Sequence, residues 1–494
     1  MFDKIRRFGT DTAVYGVSTI LGRFLTFFLT PLYVNFLPQA EFGHVAYVYA
    51  CIAFLNVVYA YGMETAYLRY TATLEIGDRK QNFSVPFLSL LVSSVLLSVG
   101  IAAFHDPLAS ALELPSHLSV LIVYGAVILG LDALAVIPFA ALRLERHATR
   151  FAVIKTANIV VNVGCNVLFL VYWRMGIASV FLSNIIASAV TVLLLLPTIV
   201  TRLRWTWHRD LYAALLRFAL PIVPQGVAAM MMQVVDRPIL LAMTNARTLA
   251  VYQANYRLGI FMMLVVQMFD FAWRPFYLTH AADADAKQLF ARILTYYLLV
   301  MSFVLVLLGL FVEDVVKLPL LLGRPILTAP YWTGLPIVSV ILLAYVFLGL
   351  SNNFSAGIYI EKKTKHLPAI TFAGAAANVV ANLLLIPVLG IMGAALATLI
   401  SYVLIASIYV VVARRFYPVR YEWSRVAKIA VCTGVVFLLR YLIPDLFAAV
   451  PWKLALVGLF VLLMYLLRFL EPSEIAVMGR MLRSPRRTVP EAPE

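Results

Sequence analysis

Charge is scarce in this sequence. Asp, Glu, Lys and Arg make up 13% of its 494 residues, against about 25% in an ordinary soluble domain. The deficit runs the length of the chain and excludes a separate soluble domain of usual composition. Acidic residues are the scarcer kind, 24 against 39 basic ones, so the net charge is +15. Such an excess can point to nucleic acid. In membrane proteins, however, basic residues collect in cytoplasmic loops, and their placement decides between the two readings. Cysteine is nearly absent. Cys51, Cys165 and Cys432 each fall inside an apolar run. Their odd number and spacing exclude a disulfide framework or zinc site and leave small packing residues. Also missing are a phosphate loop, a metal-ligand cluster and a nucleophile motif. These absences argue against an enzyme and imply no cofactor. No loop is long enough for the catalytic segment of a membrane-embedded glycosyltransferase or polymerase, the rival reading of another class.

What the sequence has is apolar length. Hydrophobic residues make up 63% of it, and runs of about 20, enough to span a bilayer as a helix, recur from Thr10 to Leu470. Stretches such as Val338 to Leu350 do not alternate apolar and polar residues, so helices are expected and not the strands of a membrane barrel. The expected spans are 10–36, 42–69, 82–104, 117–142, 151–172, 176–200, 212–243, 248–278, 287–312, 331–357, 367–388, 391–413, 427–443 and 453–470. The basic start, Met1 to Arg7, precedes a run long enough to span and lacks a small-residue cleavage site. That reads as a first helix, not a removed signal.

Thirty of the 39 Lys and Arg fall in one set of alternate loops and the tail, among them Arg6, Arg146, Arg204, Lys363, Arg415 and Arg486. Six fall in the other set: Arg174, Arg247, Lys317, Arg324, Arg440 and Lys453. The positive-inside rule then puts both termini in the cytoplasm and supports an even number of helices near fourteen. The fold class expected is an all-α integral membrane protein.

The halves resemble each other in register. Arg7-Phe8 followed by Gly16-Val17 recurs as Arg217-Phe218 followed by Gly226-Val227. Asn162-Val163 with Asn166 and Leu168 recurs as Asn378-Val379 with Asn382 and Leu384, and Met175-Gly176 as Met392-Gly393. A repeat of six helices enters the membrane twice from the same side. It predicts two six-helix lobes related by a pseudo-twofold along the membrane normal, with substrate held between them. The expected division is an N-lobe at 1–205, a C-lobe at 206–420, two further helices at 421–475 and a basic cytoplasmic tail at 476–494.

Polar groups inside the spans are the candidate site. In the first helix Thr12, Tyr15, Thr19, Arg23, Thr26, Thr30 and Tyr33 follow steps of three and four, which is one face. An arginine as deep as Arg23 costs roughly 2.5–3.5 kcal/mol on insertion scales, so it faces a cavity or a buried carboxylate. Arg237 and Arg257 lie equally deep. Asp236 and Arg237 are neighbours about 100° apart on a helix, so each is expected to need another partner. Asp236 with Arg23 or Arg257 is a plausible pair. Glu64, Asp132, Asp236 and Asp270 are the buried carboxylates, suited either to holding a coupling proton or cation or to pairing with an arginine. Asn378 and Asn382, one turn apart, suit sodium or, more commonly, an interhelical hydrogen bond. Guanidinium forks match phosphate oxygens, so three deep arginines favour an anionic head group. Tyr15, Tyr33, Tyr252 and Tyr256 are placed where they could stack on and hydrogen-bond sugars.

Pro221-Ile222-Val223-Pro224, followed after eleven residues by Asp236-Arg237, resembles the seventh helix of the bacterial polysaccharide repeat-unit (O-antigen) flippases. These belong to the multidrug/oligosaccharidyl-lipid/polysaccharide exporter superfamily. Val251-Tyr252, Asn255 and Tyr256-Arg257 look like the start of that family's eighth helix, and Glu41-Phe42-Gly43 like its counterpart in the first half. The resemblance implies a central cationic cavity. It implies a substrate, undecaprenyl-pyrophosphate-linked oligosaccharide, that crosses from the cytoplasmic to the periplasmic leaflet of the bacterial inner membrane, as in lipopolysaccharide biosynthesis. A proton or sodium ion and the polysaccharide polymerase machinery are the further partners it implies. A lipid II flippase is one alternative, since helices thirteen and fourteen can form a groove for a lipid tail. A drug or cation antiporter of the same superfamily is another.

Overall fold

The apolar runs fold as helices. The computed structural model describes residues 22, 27–321, 323–469 and 474, so most of the expected first helix and of the basic tail lie outside the described residues. The helices are α1 (Leu29–Phe36), α2 (Gln39–Ala60), α3 (Met63–Thr73), α4 (Arg79–Ala103), α5 (His105–Ala111), α6 (Val120–Leu144), α7 (Ala148–Asn166), α8 (Ala178–Arg202), α9 (Arg209–Ala219) and α10 (Val223–Val234). They continue with α11 (Asp236–Met243), α12 (Ala246–Leu258), α13 (Ile260–His280), α14 (Ala286–Lys317), α15 (Pro336–Ile360), α16 (Leu367–Leu389), α17 (Ile391–Phe416), α18 (Trp423–Leu442) and α19 (Val450–Leu466). Among the described residues ten helical spans are long and apolar enough to cross a membrane, and the bent pair α12–α13 makes an eleventh. The chain is an all-α, multi-pass membrane protein.

Several expected single spans are broken. The span 42–69 divides into α2 and α3 at Tyr61 and Gly62, whose φ values of 27° and 75° no regular helix accommodates. The span 212–243 divides into α9, α10 and α11, with a turn at Leu220–Ile222 that contains Pro221 and a further interruption at Val235. The span 248–278 bends by 42° between α12 and α13. There Gly259 lets the backbone approach so closely that a Cβ would lie 2.7 Å from Ile341 and 2.9 Å from Tyr345. A short antiparallel hairpin, β1 (Pro319–Leu321) with β2 (Arg324–Pro325), was not foreseen in the expected all-helical pattern.

The helices group into two units, residues 1–276 with 312–417 and residues 277–311 with 418–494. In the first, α2 packs against α10 and α12, so the helix after the first expected span joins both halves of the sequence. The approach is backbone to backbone at each end of α2. A Cβ on Gly43 would fall onto the carbonyl oxygen of Ala246, and one on Gly62 would lie 2.7 Å from that of Ala219. At the cytoplasmic end assigned by the charge count, α9 turns Leu211, Leu215 and Ala219 inward. They join a core with Tyr67, Phe83 and Ile137 from the first half, the i, i+4, i+8 pattern of one helix face. At the opposite end the hairpin docks on α1. Arg324 donates to the Asn35 carbonyl at 2.9 Å, and Asn35 donates to the Pro325 carbonyl at 2.9 Å. The asparagine pairs of the sequence repeat adopt one geometry. Asn166 donates to the Asn162 carbonyl at 2.9 Å and side chain at 3.0 Å, and Asn382 to the Asn378 carbonyl at 2.8 Å and side chain at 3.1 Å.

In the second unit, Arg425 grips Glu474 through two nitrogens at 3.1 and 2.9 Å. Thr295 donates to Glu422 at 2.7 Å, and Phe303 lies 6.3 Å from Phe460.

Candidate functional site

Asp236 opens α11 directly after the interruption at Val235, and the middle of α12 lies beside it. Asp236 and Arg237 are only 3% and 7% exposed. Contrary to the sequence expectation, they pair with each other. Arg237 Nη1 donates to Asp236 Oδ1 at 2.6 Å. The 100° separation holds for the Cα–Cβ directions, but a guanidinium on a long stem can curl back. A buried charge left unpaired is far more costly than the curl. The rest of the pair is satisfied locally. Tyr252 donates its hydroxyl to Asp236 Oδ2, Arg237 Nε donates to Gln253 at 3.2 Å, and Nη1 reaches the Gln233 carbonyl. The guanidinium lies 4.5 Å over the Tyr256 ring. Tyr256 meets Tyr345 at 6.3 Å, and Tyr345 meets Tyr402 at 6.5 Å. Tyr345 and Tyr402 were not singled out in the sequence. Each lies in a mostly apolar helix, and the ring contacts that run from Tyr256 of α12 reveal them.

Arg257 sits one residue beyond Tyr256 and points elsewhere. It is half-buried, and Nη1 donates to Thr30 Oγ1 of α1 at 3.2 Å. Among the described residues no carboxylate lies within ion-pair distance of it. The groups acting on it electrostatically are the Tyr33 and Tyr49 hydroxyls and the Arg237 guanidinium. Thr30 and Tyr33 are the described end of the predicted polar stripe. Arg23 and Tyr15, with Thr12, Thr19 and Thr26, lie outside the described residues. Tyr49 accepts from Asn184 Nδ2 at 3.1 Å and stacks on Phe181 at 5.1 Å.

Asn184 also lines a cavity of about 400 Å³ inside the first half, between α2, α3, α6, α7 and α8. Two of the predicted carboxylates are found there. Asp132 accepts from Ser188 at 2.7 Å. Glu64 forms an ion pair with Arg143 and is 40% exposed, so it is not the buried carboxylate expected. It lies on α3, past the break that ends the apolar stretch of α2. Lys155, which the sequence places near a loop, has its Nζ 4.3 Å over the Phe139 ring in the wall of the same cavity. Two further predicted groups lie apart. Asp270 pairs with Arg274 one turn away on α13 at 3.1 Å. Asn378 and Asn382, 1% and 0% exposed, bond to each other. Among the described residues no group of three His, Cys, Asp or Glu could hold a metal ion.

The arrangement separates two kinds of arginine. Arg237 is neutralised in place by its neighbour, with a tyrosine wall around it. Arg257 keeps a guanidinium whose hydrogen-bond partner among the described residues is the uncharged Thr30, and a guanidinium fork can take two oxygens of a phosphate.

A family model described as polysaccharide biosynthesis protein matches residues 34–324, more than half the chain. No curated protein matches it. In fold the chain is similar to the lipid II flippase MurJ in an inward closed conformation, with a TM-score of 0.71 at 15% identity, covering 96% of this chain and 100% of that one. It is also similar to an inward-facing multidrug resistance MATE family transporter, with a TM-score of 0.65 at 14% identity over 80% of this chain and 94% of that one. The Vibrio cholerae MATE transporter VcmN in its bent form gives a TM-score of 0.56 at 13% identity over 83% and 96%. At these identities the likeness is one of fold. The three proteins named are transporters and a flippase, not enzymes.

Proposed function

The chain belongs to the polysaccharide biosynthesis protein family, and from that premise we propose that it is a flippase for lipid-linked oligosaccharide in the bacterial inner membrane. The substrate proposed is undecaprenyl-pyrophosphate-linked oligosaccharide, moved from the cytoplasmic to the periplasmic leaflet. The observation that carries the reading is Arg257: a guanidinium deep in the spans, bonded to Thr30 and to no carboxylate among the described residues. A drug cation would be repelled there, whereas a pyrophosphate is attracted and fits the planar fork. Arg23 is assigned to the same anion from its place in the sequence.

The lobes at 1–205 and 206–420 would rock about the bound head group while the polyprenyl tail stays in lipid, with 421–475 and the tail 476–494 outside the repeat. An anion leaving an inside-negative cell moves downhill by about 2.3 kcal/mol per charge per 100 mV, so the potential alone can drive the step. Asp132, bonded to Ser188, and Asp270, paired with Arg274, are the other candidates for a coupling proton or sodium ion. Asp236 is committed to Arg237 and Tyr252.

Replacing Arg257 by Ala removes a charge-assisted contact worth about 1.5–3 kcal/mol. Export of the lipid-linked saccharide, followed in inverted membrane vesicles by protection from an added glycosidase, should fall roughly 10- to 150-fold. Arg257→Lys should retain part of it. Export by Arg257→Ala at the wild-type rate would sink the proposal. Equal transport of lipid II and of the saccharide lipid would favour the broader lipid II reading.

A further inference from the structure

We propose that the cavity inside the first half is a saccharide subsite, which receives a neutral sugar ring of the lipid-linked substrate while Arg257 holds its pyrophosphate. The inference rests on the flippase reading above.

Four observations carry it. First, the cavity holds about 400 Å³, within the roughly 300–1,000 Å³ of small-molecule sites. Second, its charges cancel. Glu64 is matched by Arg143, and Asp132 faces Lys155 across the same space. A net-neutral lining neither selects an ion nor repels a polyol. Third, the uncharged polar groups of the lining both donate and accept: Asn56, Asn158, Asn184, Ser188 and Thr191. Some are already oriented by their neighbours, as Asn158 is by its bond to Thr191 at 2.9 Å. Sugar hydroxyls need such two-way partners, because each is donor and acceptor at once. Fourth, an aromatic wall completes the site. Phe139 and Phe151 lie edge to face at 5.1 Å, and aromatic faces accept the C–H side of a pyranose.

Position links the cavity to the anion. Asn184 belongs to the cavity lining and donates to Tyr49, and the Tyr49 hydroxyl is one of the groups acting on Arg257. Asn184 and Tyr49 are thus polar groups shared between the cavity lining and the surroundings of Arg257. Sequence reading treated Asp132 and Glu64 only as coupling or pairing groups.

The test uses full-length protein in nanodiscs and native mass spectrometry. It is offered two probes at equal concentration: the polyprenyl-pyrophosphate saccharide fraction extracted from the source cells, and undecaprenyl pyrophosphate without sugar. The variants are Asn158→Leu and Asn56→Leu, which keep approximate size and charge balance. The expected result is at least a tenfold wild-type preference for the saccharide lipid, about 1.4 kcal/mol. Each variant should lose that preference while binding the bare lipid as before, and Arg257→Ala should weaken both lipids. The subsite is overturned if wild type shows no preference, or if both variants keep the preference in full. If neither lipid binds wild type at all, the flippase reading itself fails. Circular dichroism and gel-filtration profiles matching wild type are required of each variant. Should Asn158→Leu not fold, Asn56→Leu and Thr191→Val carry the same decision.

Discussion

The buried pair Asp236–Arg237 gives the sharpest perturbation. Both groups are nearly inaccessible, and each makes its bonds within a single neighbourhood. Removing one partner leaves the other charge buried, so Arg237→Ala should cost about 3–5 kcal/mol. Tyr252→Phe removes one bond to a charged acceptor and should cost about 1.5–3 kcal/mol. Replacing both charges by apolar residues of similar size, Asp236→Leu with Arg237→Met, abolishes the unpaired-charge penalty and should return stability to about the wild-type level or above. The assay is the half-life of folded protein in detergent at fixed temperature, read by tryptophan fluorescence and gel filtration, since large membrane proteins unfold irreversibly. The expected order of half-lives is double variant similar to wild type, then Tyr252→Phe, then Arg237→Ala. A double variant no more stable than Arg237→Ala would refute the claim that the two charges exist in the fold chiefly for each other. Export by the double variant supplies the second reading. Stability retained with export lost would show that the tyrosine-walled pair also acts in transport.

Other outcomes can be stated briefly. Arg202 bonds Glu145 through two nitrogens, one at 2.9 Å, and holds that carboxyl below its ordinary range. The folded value is depressed, so the contribution is present above the unfolded value of about 4.3 and is lost as pH falls through the folded one. Because the pair is partly exposed, the effect should be about 0–1 kcal/mol. Glu145→Gln should therefore trail wild type slightly at neutral pH and match it in strong acid, in the same half-life measurement. A gap that persists in strong acid would contradict this. Gly43→Ala places a Cβ where the Ala246 carbonyl lies, so the contact must open. Maleimide labelling of Thr248→Cys, in a background without Cys51, Cys165 and Cys432, should accelerate in that variant. An unchanged rate would mean that the backbones part at no cost.

The helical architecture was legible because bilayer-length apolar runs permit little else, and the spans and the observed helices overlap along the described chain. Their interruptions were harder to read. Pro221 and Pro224 are visible breakers, but the interruption at Val235 has no proline or glycine beside it on its N-terminal side. Tyr61 adopts φ 27° beside Gly62 at φ 75°, and a tyrosine does not announce such a turn in sequence. The misjudged pairing of Asp236 with Arg237 came from applying an ideal helical wheel to side chains with several rotatable bonds. Glu64 looked buried because the apolar run continues beyond it in sequence, whereas the chain has already turned. Lys155, Tyr345 and Tyr402 gave no signal in one dimension. Their roles arise from neighbours more than fifty residues away, or from a cavity that no single helix displays.

The hydrogen bond between Arg257 and Thr30 bears on the return stroke. On the flippase reading a carrier that releases its cargo outside must reset without it, and among the described residues no carboxylate then pairs with the cationic group. A bare guanidinium in a low-dielectric interior would hold the protein in whichever state lets water reach it, and each cycle would stall there. A threonine hydroxyl offers a neutral resting partner: enough to shelter the arginine during the reset, and weak enough for a pyrophosphate to displace. A carboxylate at position 30 would shelter it far better and keep it, producing a carrier that resets freely and loads nothing.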